Sequence, residues 1–242
     1  MLSYRLESGN DMADRFGSQY GRELMTLATC IASKECCYDS SPFLSARNFK
    51  DPHGWHEFAG LKSTCEDSDN HLPLFRRNEL NIKKKEKGEE KIETTALRHL
   101  NSSVGSEVKN EIKRVARSMY FSTPKPSALD CEHVVHIRRS DVQPNNRNSK
   151  RYVTDTTWIN VLDAIHAKNP EARVCILSDG TTEELQKFEV YGDVYNNADE
   201  KQSFHTMVEA PNLYISKGSQ FSAAAGYLNT NNVITIADKN KS

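Results

Sequence analysis

The stretch that decides the fold is HVVHIRRSDVQP, residues 133–144, in which an apolar run ends in two arginines and an aspartate. The run HVVHI (133–137) has the apolar and β-branched composition of a buried strand. Because Arg138 and Arg139 carry permanent charges at its end, each of them needs a partner there. The stretch therefore predicts a buried strand whose exit binds an anion or holds an ion pair.

Around this strand, apolar runs alternate with helical patterns. Helices are predicted in TDTTWINVLDAIHAKNP, in TTEELQKFEVYG with a Thr181-x-x-Glu184 capping box, in SFHTMVEA and in QFSAAAGYLN. Strands are predicted in HVVHI, RVCIL, DVYNN, NLYIS and NVITIAD. Because these strands lack strict apolar–polar alternation, they predict a parallel sheet covered on both faces. We therefore expect an α/β fold in which residues 126–242 form a Rossmann-like domain.

The first half of the chain is less regular. LSYRLES and ECCYDSS are predicted strands, FGSQYGRELMTLATCIASK a loop that opens into a helix, and VKNEIKRVARSMYF a helix. The charged run KKKEKGEE (83–90) predicts a solvated loop or helix face, and STPKPSALD (122–130) predicts a linker. We therefore expect two domains, residues 1–125 and 126–242.

Composition excludes several classes of partner. With 242 residues and a net charge of −1, the chain lacks the basic field of a general nucleic-acid binder. No apolar stretch approaches the length of about 20 residues that spans a bilayer. We therefore expect no nucleic-acid partner and no membrane span, and any anion site must be local.

The six cysteines show no framework spacing. Cys131 and Cys175 lie at or in predicted strands, where a thiol acts as a small hydrophobic group. This favours reduced cysteines and a cytoplasmic protein, with the Golgi or ER lumen as the alternative if the chain is a fragment of a longer one.

The exit of the first strand has two interpretations. Strand alternation places His136 and Arg138 on one face and Arg139 on the other. One guanidinium can then face a crevice and bind phosphate oxygens while its neighbour pairs with Asp141. The alternative is an Arg–Asp ion pair that only ties the loop down. Zinc bound by Cys131, His133 and His136 is excluded, because the two histidines project to opposite faces.

Three other turns carry polar residues. Lys217–Ser222 opens a helix whose free amides favour a phosphate, the alternative being an ordinary serine N-cap. Ser178-Asp179-Gly180 can receive ribose or base donors, although such residues are also normal at a helix entry. In the first half, residues 14–19 form a glycine turn that can cap the same anion.

Two further stretches are weaker candidates. Asp67-Ser68-Asp69 matches the D-x-D pattern of metal-dependent sugar transfer, but it lies in a polar segment rather than at a strand end. HGWHEF (53–58) can offer a base or an acceptor platform, or simply a packed aromatic loop. No P-loop and no G-x-G-x-x-G fingerprint is present.

HIRRSD, followed about eighty residues later by YISKGSQFSAAAGYL, resembles the GDP-fucose-dependent fucosyltransferases of the α1,2, α1,6 and protein-O types. Those enzymes carry an H-x-R-R-x-D motif and a serine-rich turn that opens a late helix. FGSQYGRELMTLATCIASKECCY is similar to their first glycine loop with its helix and second strand.

The resemblance implies a GT-B-like fold of two Rossmann-like halves, with a nucleotide-sugar donor bound in the second and a glycan or protein acceptor on the side of the first. No cofactor and no metal are implied. Arg138 would clamp the pyrophosphate, His136 would lie near guanine, and Ser219 and Gln220 would bind phosphate under Gly17. The expected catalytic residues are Arg138 and Asp141, and the expected donor-binding residues are His136, Arg138, Arg139, Gly17, Gln19, Ser178, Asp179, Ser203, His205, Gly218, Ser219, Gln220, Phe221 and Ser222.

The sequence departs from the family at two positions. Ser203 stands where relatives keep an acid that reads guanine, and Asn146 stands where some α1,6 relatives keep a glutamate base. The candidates for the base are therefore Asp141, Glu57 and Asp14. Three interpretations stay open: a fucosyltransferase, a transferase with another nucleotide-sugar donor, and a binding module of the same fold without activity.

Overall fold

The structure is a computed structural model that describes residues 2–5, 15–33, 36–40, 42–45, 49, 51–65, 71–73 and 105–238. The chain divides into two compact units, Met1–Pro124 and Lys125–Ser242. The boundary lies within the proline-containing segment STPKPSALD. The segment 83–90 and the Asp67-Ser68-Asp69 motif lie outside the described residues.

The second unit contains a five-stranded sheet in which all neighbouring strands are parallel. Its strand order is β6-β5-β4-β7-β8, so that the chain adds strands on one side of β4 and then crosses to the other side. Both neighbours of β4 pair with it in register, which aligns the carboxyl ends of the three central strands. The strands are β4 (His133–Ile137), β5 (Val174–Ser178), β6 (Asp193–Asn196), β7 (Asn212–Ser216) and β8 (Asn232–Ile236).

Each helix of this unit begins at a side-chain cap. Thr154, Asp199 and Ser219 accept hydrogen bonds from backbone amides of the first helical turn. The predicted capping box is confirmed, because Thr181 and Glu184 each accept from the other's backbone N–H. Two 3₁₀ segments, Ser149–Arg151 and Gln186–Tyr191, join these elements. In the numbering used below, the helices are α4 (Asp155–Lys168), α5 (Thr182–Leu185), α6 (Glu200–Glu209) and α7 (Gln220–Leu228).

The core of the second unit lies between the sheet and these helices. Trp158 and Leu162 of α4 pack with Ile176 of β5 and Phe188 of the 3₁₀ segment, and all four are fully buried. All five residues of β5 are buried, which matches a parallel strand covered on both faces. The predicted α/β fold is confirmed in this coarse form.

The first unit has a smaller parallel sheet in the described residues, with the order β2-β1-β3. The long helix α1 packs on β2 and on α3, and Phe16 stacks on Trp55 of α2 with their ring centroids 4.0 Å apart. The strands are β1 (Leu2–Arg5), β2 (Cys36–Asp39) and β3 (His71–Pro73), and the helices are α1 (Phe16–Ser33), α2 (Pro52–Ala59) and α3 (Ser106–Tyr120).

One boundary prediction in this unit is wrong. A loop was expected at Phe16–Gln19 before the helix, but α1 begins at Phe16 and places Gly17 in its first turn. The aromatic contacts of Phe16 explain the difference, because packing can stabilise a helical turn that a glycine alone disfavours.

The prediction of reduced cysteines at strand positions is also wrong. Cys131 and Cys175 form a disulfide that ties a residue two positions before β4 to β5, with the two Cα atoms 5.9 Å apart. Cys37 and Cys65 form a second disulfide in the first unit, with a Cα–Cα distance of 5.1 Å. The adjacent parallel strands bring the first pair together, which sequence spacing alone does not reveal.

None of the helices in the described ranges combines the length and the apolar character needed to cross a bilayer.

Candidate functional site

The carboxyl ends of β4 and β7 form the switch point of the sheet. After β4 the chain continues to β5 on one side, whereas after β7 it continues to β8 on the other. The connections leave in opposite directions, and such a point in a parallel α/β sheet is where ligands commonly bind. The arginine pair follows β4, and the turn Lys217–Ser219 follows β7.

Ser216 joins these two strand ends. Its hydroxyl donates to the carbonyl oxygen of His136 at 3.0 Å and accepts from the backbone N–H of Arg138 at 3.2 Å. The side chain is buried, so these hydrogen bonds are protected from water. Ser216 thereby fixes the backbone of Arg138 beside the turn that opens α7.

Arg138 forms a close ion pair with Asp141. Its Nε and Nη2 donate to the carboxylate in three hydrogen bonds of 2.9–3.1 Å. The Arg138 side chain keeps 13% of its surface exposed. Asn146 and Asn148 donate to the carbonyl oxygen of Asp141 at 2.9 and 3.0 Å and hold the loop in place. Asp141 therefore serves first as the partner of Arg138.

Arg139 is buried and has a different partner. Its side chain is 1% exposed, and its Nη2 donates to Asp155 at 2.6 Å. Lys187 donates to the other oxygen of Asp155 at 2.5 Å. Although burial alone would raise it, the hydrogen bonds from Lys187 and Arg139 hold the pKa of Asp155 below its usual value. The ring of Tyr152 lies 4.5 Å from the Arg139 guanidinium carbon.

The exit of β5 supports the exit of β4. Asp179 accepts from the backbone N–H of Arg139 at 2.7 Å, and the Ser178 hydroxyl donates to the carbonyl oxygen of Ile137 at 2.7 Å. Ser178 also accepts from the backbone N–H of Gly180. In the structure both predicted donor-binding residues of this turn make structural hydrogen bonds.

The turn after β7 leads directly into α7. Gly218 has a φ of +81°, which favours glycine. Ser219 is buried and caps α7, accepting from the backbone N–H of Ser222. The Ser222 hydroxyl is buried and has no hydrogen-bond partner among the described residues. Lys217 and Gln220 are exposed at either side of the turn.

His136 is buried at the same end of the sheet. Burial lowers the pKa of its imidazole to about 4, with Asp179 opposing this shift and Arg138 reinforcing it. The side chain is therefore neutral at pH 7, and its Nδ1 has no hydrogen-bond partner in the part of the chain that is described. Phe221 lies beside it with ring centroids 6.0 Å apart, and Phe204 follows at 5.3 Å from Phe221.

Ser203 and His205 lie in α6, which packs on α7. His205 is buried, and this burial lowers the pKa of its imidazole. Ser203 is partly buried and precedes Phe204, the residue that contacts Phe221. The aromatic contact connects this helix to α7.

In the first unit, the predicted site residues that the structure describes pack or form hydrogen bonds within the fold. Gly17 is buried in the first turn of α1, and the Gln19 side chain is clamped to the backbone of Leu44, donating to its carbonyl at 2.7 Å and accepting from its N–H at 2.8 Å. Trp55 is buried against Phe16, so it is not an exposed acceptor platform. Asp14 lies outside the described residues.

No group of three or more histidine, cysteine, aspartate or glutamate side chains with metal-binding geometry occurs in the described part of the chain.

Three residues near the switch point were not among the predicted site residues: Asp155, Ser216 and Arg151. Asp155 is the first residue of α4 and resembles any acidic residue at a helix start. Ser216 ends β7 and carries no motif. The aliphatic stem of Arg151 lies against Gly218, with its Cγ 3.0 Å from where a Cβ on that glycine would be. Only the fold brings each of them to this place.

No protein-family model matches the chain. No curated protein sequence matches it either. Among solved structures, POFUT1 in its apo form matches with a TM-score of 0.50 and 8% identity over 98% of both chains. POFUT1 in complex with GDP gives 0.49 and 9% over the same shares. E. coli heptosyltransferase WaaC with ADP-2-deoxy-2-fluoro heptose gives 0.47 and 10%, covering 100% of this chain and 95% of that one.

At 8% identity the likeness to apo POFUT1 shows the fold and nothing more. It extends over nearly the whole chain and includes both units. The chain thus shares the fold of that structure.

Proposed function

We propose that this chain is a glycosyltransferase that transfers fucose from GDP-fucose to a hydroxyl group of a glycan or a protein. Transfer inverts the anomeric centre and needs no metal ion or cofactor. The two units are proposed to be Rossmann-like halves, residues 1–125 on the acceptor side and residues 126–242 on the donor side.

The observation that carries the proposal is the juxtaposition of Arg138 with the turn that opens α7. The two follow adjacent parallel strands, and the Ser216 hydroxyl joins their backbones. A guanidinium and the free amides of a helix N-terminus together favour a diphosphate. The H-x-R-R-x-D motif and the glycosyltransferase-like fold support the same function.

The proposed reaction places charge where these groups are. An acceptor hydroxyl oxygen forms a bond to the anomeric carbon of fucose while the bond from that carbon to the diphosphate oxygen breaks. The departing GDP keeps the electron pair, and the hydroxyl proton passes to a base. Arg138 and the amides after Gly218 stabilise the charge that grows on the diphosphate, the role that Mg²⁺ has in other enzymes.

A second candidate is transfer from a different nucleotide sugar. It is favoured by Ser203, which stands where the fucosyltransferases keep an acid for guanine. A serine hydroxyl can donate and accept, so it selects less strictly among bases than a carboxylate.

A third candidate is a nucleotide-binding module without activity. It is favoured by the state of the loop after β4, where Asp141 is engaged by Arg138 and Asn146 donates to the Asp141 backbone. An amide cannot accept the acceptor's proton, and a carboxylate held by a guanidinium is a poor base.

Two measurements separate these candidates. Isothermal titration with GDP, UDP and ADP identifies the base, and we expect GDP to bind most tightly. Release of GDP from GDP-fucose, with and without candidate glycans and peptides, separates an enzyme from a binding module. Preference for UDP or ADP would favour the second candidate, and GDP binding without turnover on any acceptor would favour the third.

We further propose that the chain resides in an oxidising compartment, the ER or Golgi lumen. Two disulfides in the described residues support this, because such bonds are rare in reducing compartments. Peptide mapping of the alkylated protein without reduction tests it. Recovery of Cys131 and Cys175 as free thiols from cells would favour the cytoplasm instead.

A further inference from the structure

Arg151 lies over the turn that opens α7. It ends the 3₁₀ segment Ser149–Arg151, at the far end of the loop that follows β4. A Cβ atom on Gly218 would lie 3.0 Å from the Arg151 Cγ, 3.4 Å from its Cδ and 3.5 Å from its Cβ. The aliphatic stem of this arginine therefore crosses the glycine, and its guanidinium is carried to the same end of the sheet.

Arg138, Arg139 and Arg151 differ in their partners. Arg138 is held by Asp141 in three hydrogen bonds, and Arg139 is held by Asp155 in the protein interior. Arg151 is exposed, and its guanidinium makes no hydrogen bond or ion pair within the part of the chain that the structure describes. Of the three, it is the one whose charge is not already neutralised.

We propose that Arg151 is a donor-binding residue that contacts the diphosphate group of the nucleotide sugar. This rests on the proposed function of the α7 turn as the phosphate site. A free guanidinium presents a planar fork of donors that matches phosphate oxygens, and it needs no carboxylate to be displaced first. Arg138 then supplies a fixed charge on one side of the diphosphate, and Arg151 closes over it from the loop.

Gly218 has a part in this arrangement. Its φ of +81° already favours glycine, and any side chain there would push the Arg151 stem away from the turn. The absence of a side chain at this position thus serves both the turn and the placement of Arg151.

The test is Arg151→Gln, titrated with GDP, GMP and guanosine at two salt concentrations. The matched control is Lys168→Gln, which removes one positive charge from an exposed position. Lys168 is the last residue of α4, and the first residue of that helix, Asp155, lies at the switch point, so Lys168 is at the opposite end of the helix. We expect the Arg151 variant to bind GDP about tenfold more weakly, as the loss of one charge-assisted contact predicts. GMP should lose less affinity and guanosine none, and the GDP affinity should depend less on salt.

The outcomes distinguish the inference from the function on which it rests. If the wild-type chain binds GDP and the two variants lose the same affinity, Arg151 is not a donor ligand, although the proposed function stands. An equal loss for guanosine and GDP would also overturn the inference, because it would indicate a change at the base. If the wild-type chain binds none of GDP, UDP, ADP and inorganic pyrophosphate, both the inference and the proposed phosphate site are wrong.

Arg151→Lys is a second variant that preserves the charge but not the fork. An intermediate loss of GDP affinity supports bidentate binding, since an ammonium group acts as a point charge. A loss as large as that of the glutamine variant would also fit a fork-dependent contact. Unchanged binding in the lysine variant, with loss in the glutamine variant, would limit the role of Arg151 to its charge.

Discussion

Arg138 and Arg139 are adjacent in the chain, yet their guanidinium groups lie in different surroundings. The first is partly exposed and paired with Asp141 three residues on, whereas the second is buried and paired with Asp155. A partly exposed arginine can add a ligand to its existing partner. The buried Arg139 also donates from its Nη1 to the carbonyl oxygen of Arg138, so it acts on the site through the backbone that it holds.

Replacing Arg138 by alanine should abolish measurable GDP binding. The diphosphate would lose a charged partner, and truncating such a contact typically costs about 2–5 kcal/mol. Isothermal titration measures the loss. Asp141→Asn is the control, because it removes the other half of the ion pair and leaves the guanidinium available, so its GDP affinity should be equal or higher. Unchanged affinity of Arg138→Ala would remove this arginine from the site.

Replacing Arg139 by methionine should destabilise the second unit rather than alter the ligand contact directly. The change leaves Asp155 partly buried without its arginine, a situation that commonly costs about 3–5 kcal/mol, of which the remaining bond from Lys187 should offset a part. Urea unfolding gives the free energy of unfolding, and hydrogen exchange of the β4 amides shows whether the loss lies in the second unit. Arg114→Gln, which breaks the exposed pair with Glu111, is the control and should change little. Equal stability of the two variants would contradict the assignment.

The neutral, buried His136 predicts a loss of stability in weak acid. Its folded pKa of about 4 lies below the unfolded value of about 6.5, so the unfolded chain binds the proton first. The free energy of unfolding is not reduced by this group above pH 6.5. It falls as the pH decreases from 6.5 towards 4, by roughly 3 kcal/mol at most.

The comparison with His136→Gln isolates this group from the other histidines. The difference in unfolding free energy between wild type and variant should shrink between pH 7 and pH 4.5. A constant difference over that range would show that His136 titrates normally.

At the residue scale, the candidate site was only partly predictable from the sequence. The strand ends and the polar turns follow from local apolar patterns, so the positions of Arg138 and Ser219 at strand ends could be predicted. The partners were not, because Asp155 lies 16 residues from Arg139 and Ser216 lies 78 residues from Arg138. Which carboxylate meets which arginine is decided by the crossing of the chain over the sheet.

At the scale of elements, the second unit follows its sequence closely. Its five strands are apolar runs bounded by polar turns, and each helix has a cap that marks its start. The first unit departs where tertiary contacts decide. The helix α1 begins at Phe16 despite Gly17, and β3 forms in a polar segment by pairing with β1. Neither has a local signal strong enough to predict it.

The disulfide between Cys131 and Cys175 should stabilise the pairing of β4 with β5. It joins residues 44 apart, for which the loss of chain entropy in the unfolded state predicts about 4 kcal/mol. Thermal unfolding with and without a reductant should show a lower midpoint in the reduced protein. The double variant Cys131→Ala with Cys175→Val should show the lower midpoint in both conditions, with a remaining shift on reduction from the Cys37–Cys65 bond. An unchanged midpoint would mean that this bond is absent in solution.

At the scale of the whole molecule, the net charge of −1 gives no general attraction for an anionic donor, so a few local cations must attract it. If arginines and helix amides neutralise the diphosphate, then EDTA should leave turnover of GDP-fucose unchanged. The release of GDP measured before and after dialysis against EDTA checks this. Activity that returns only with Mn²⁺ would direct attention to Asp67 and Asp69, which lie outside the described residues.

The Cys131–Cys175 bond also has a topological consequence. It closes a covalent ring that contains the arginine pair, Arg151 and the whole of α4. A protease that cuts the polar stretch 143–150 would open this ring without releasing a fragment. Such nicked protein would migrate as one species in a non-reducing denaturing gel. It would separate into two pieces only after the disulfide is reduced.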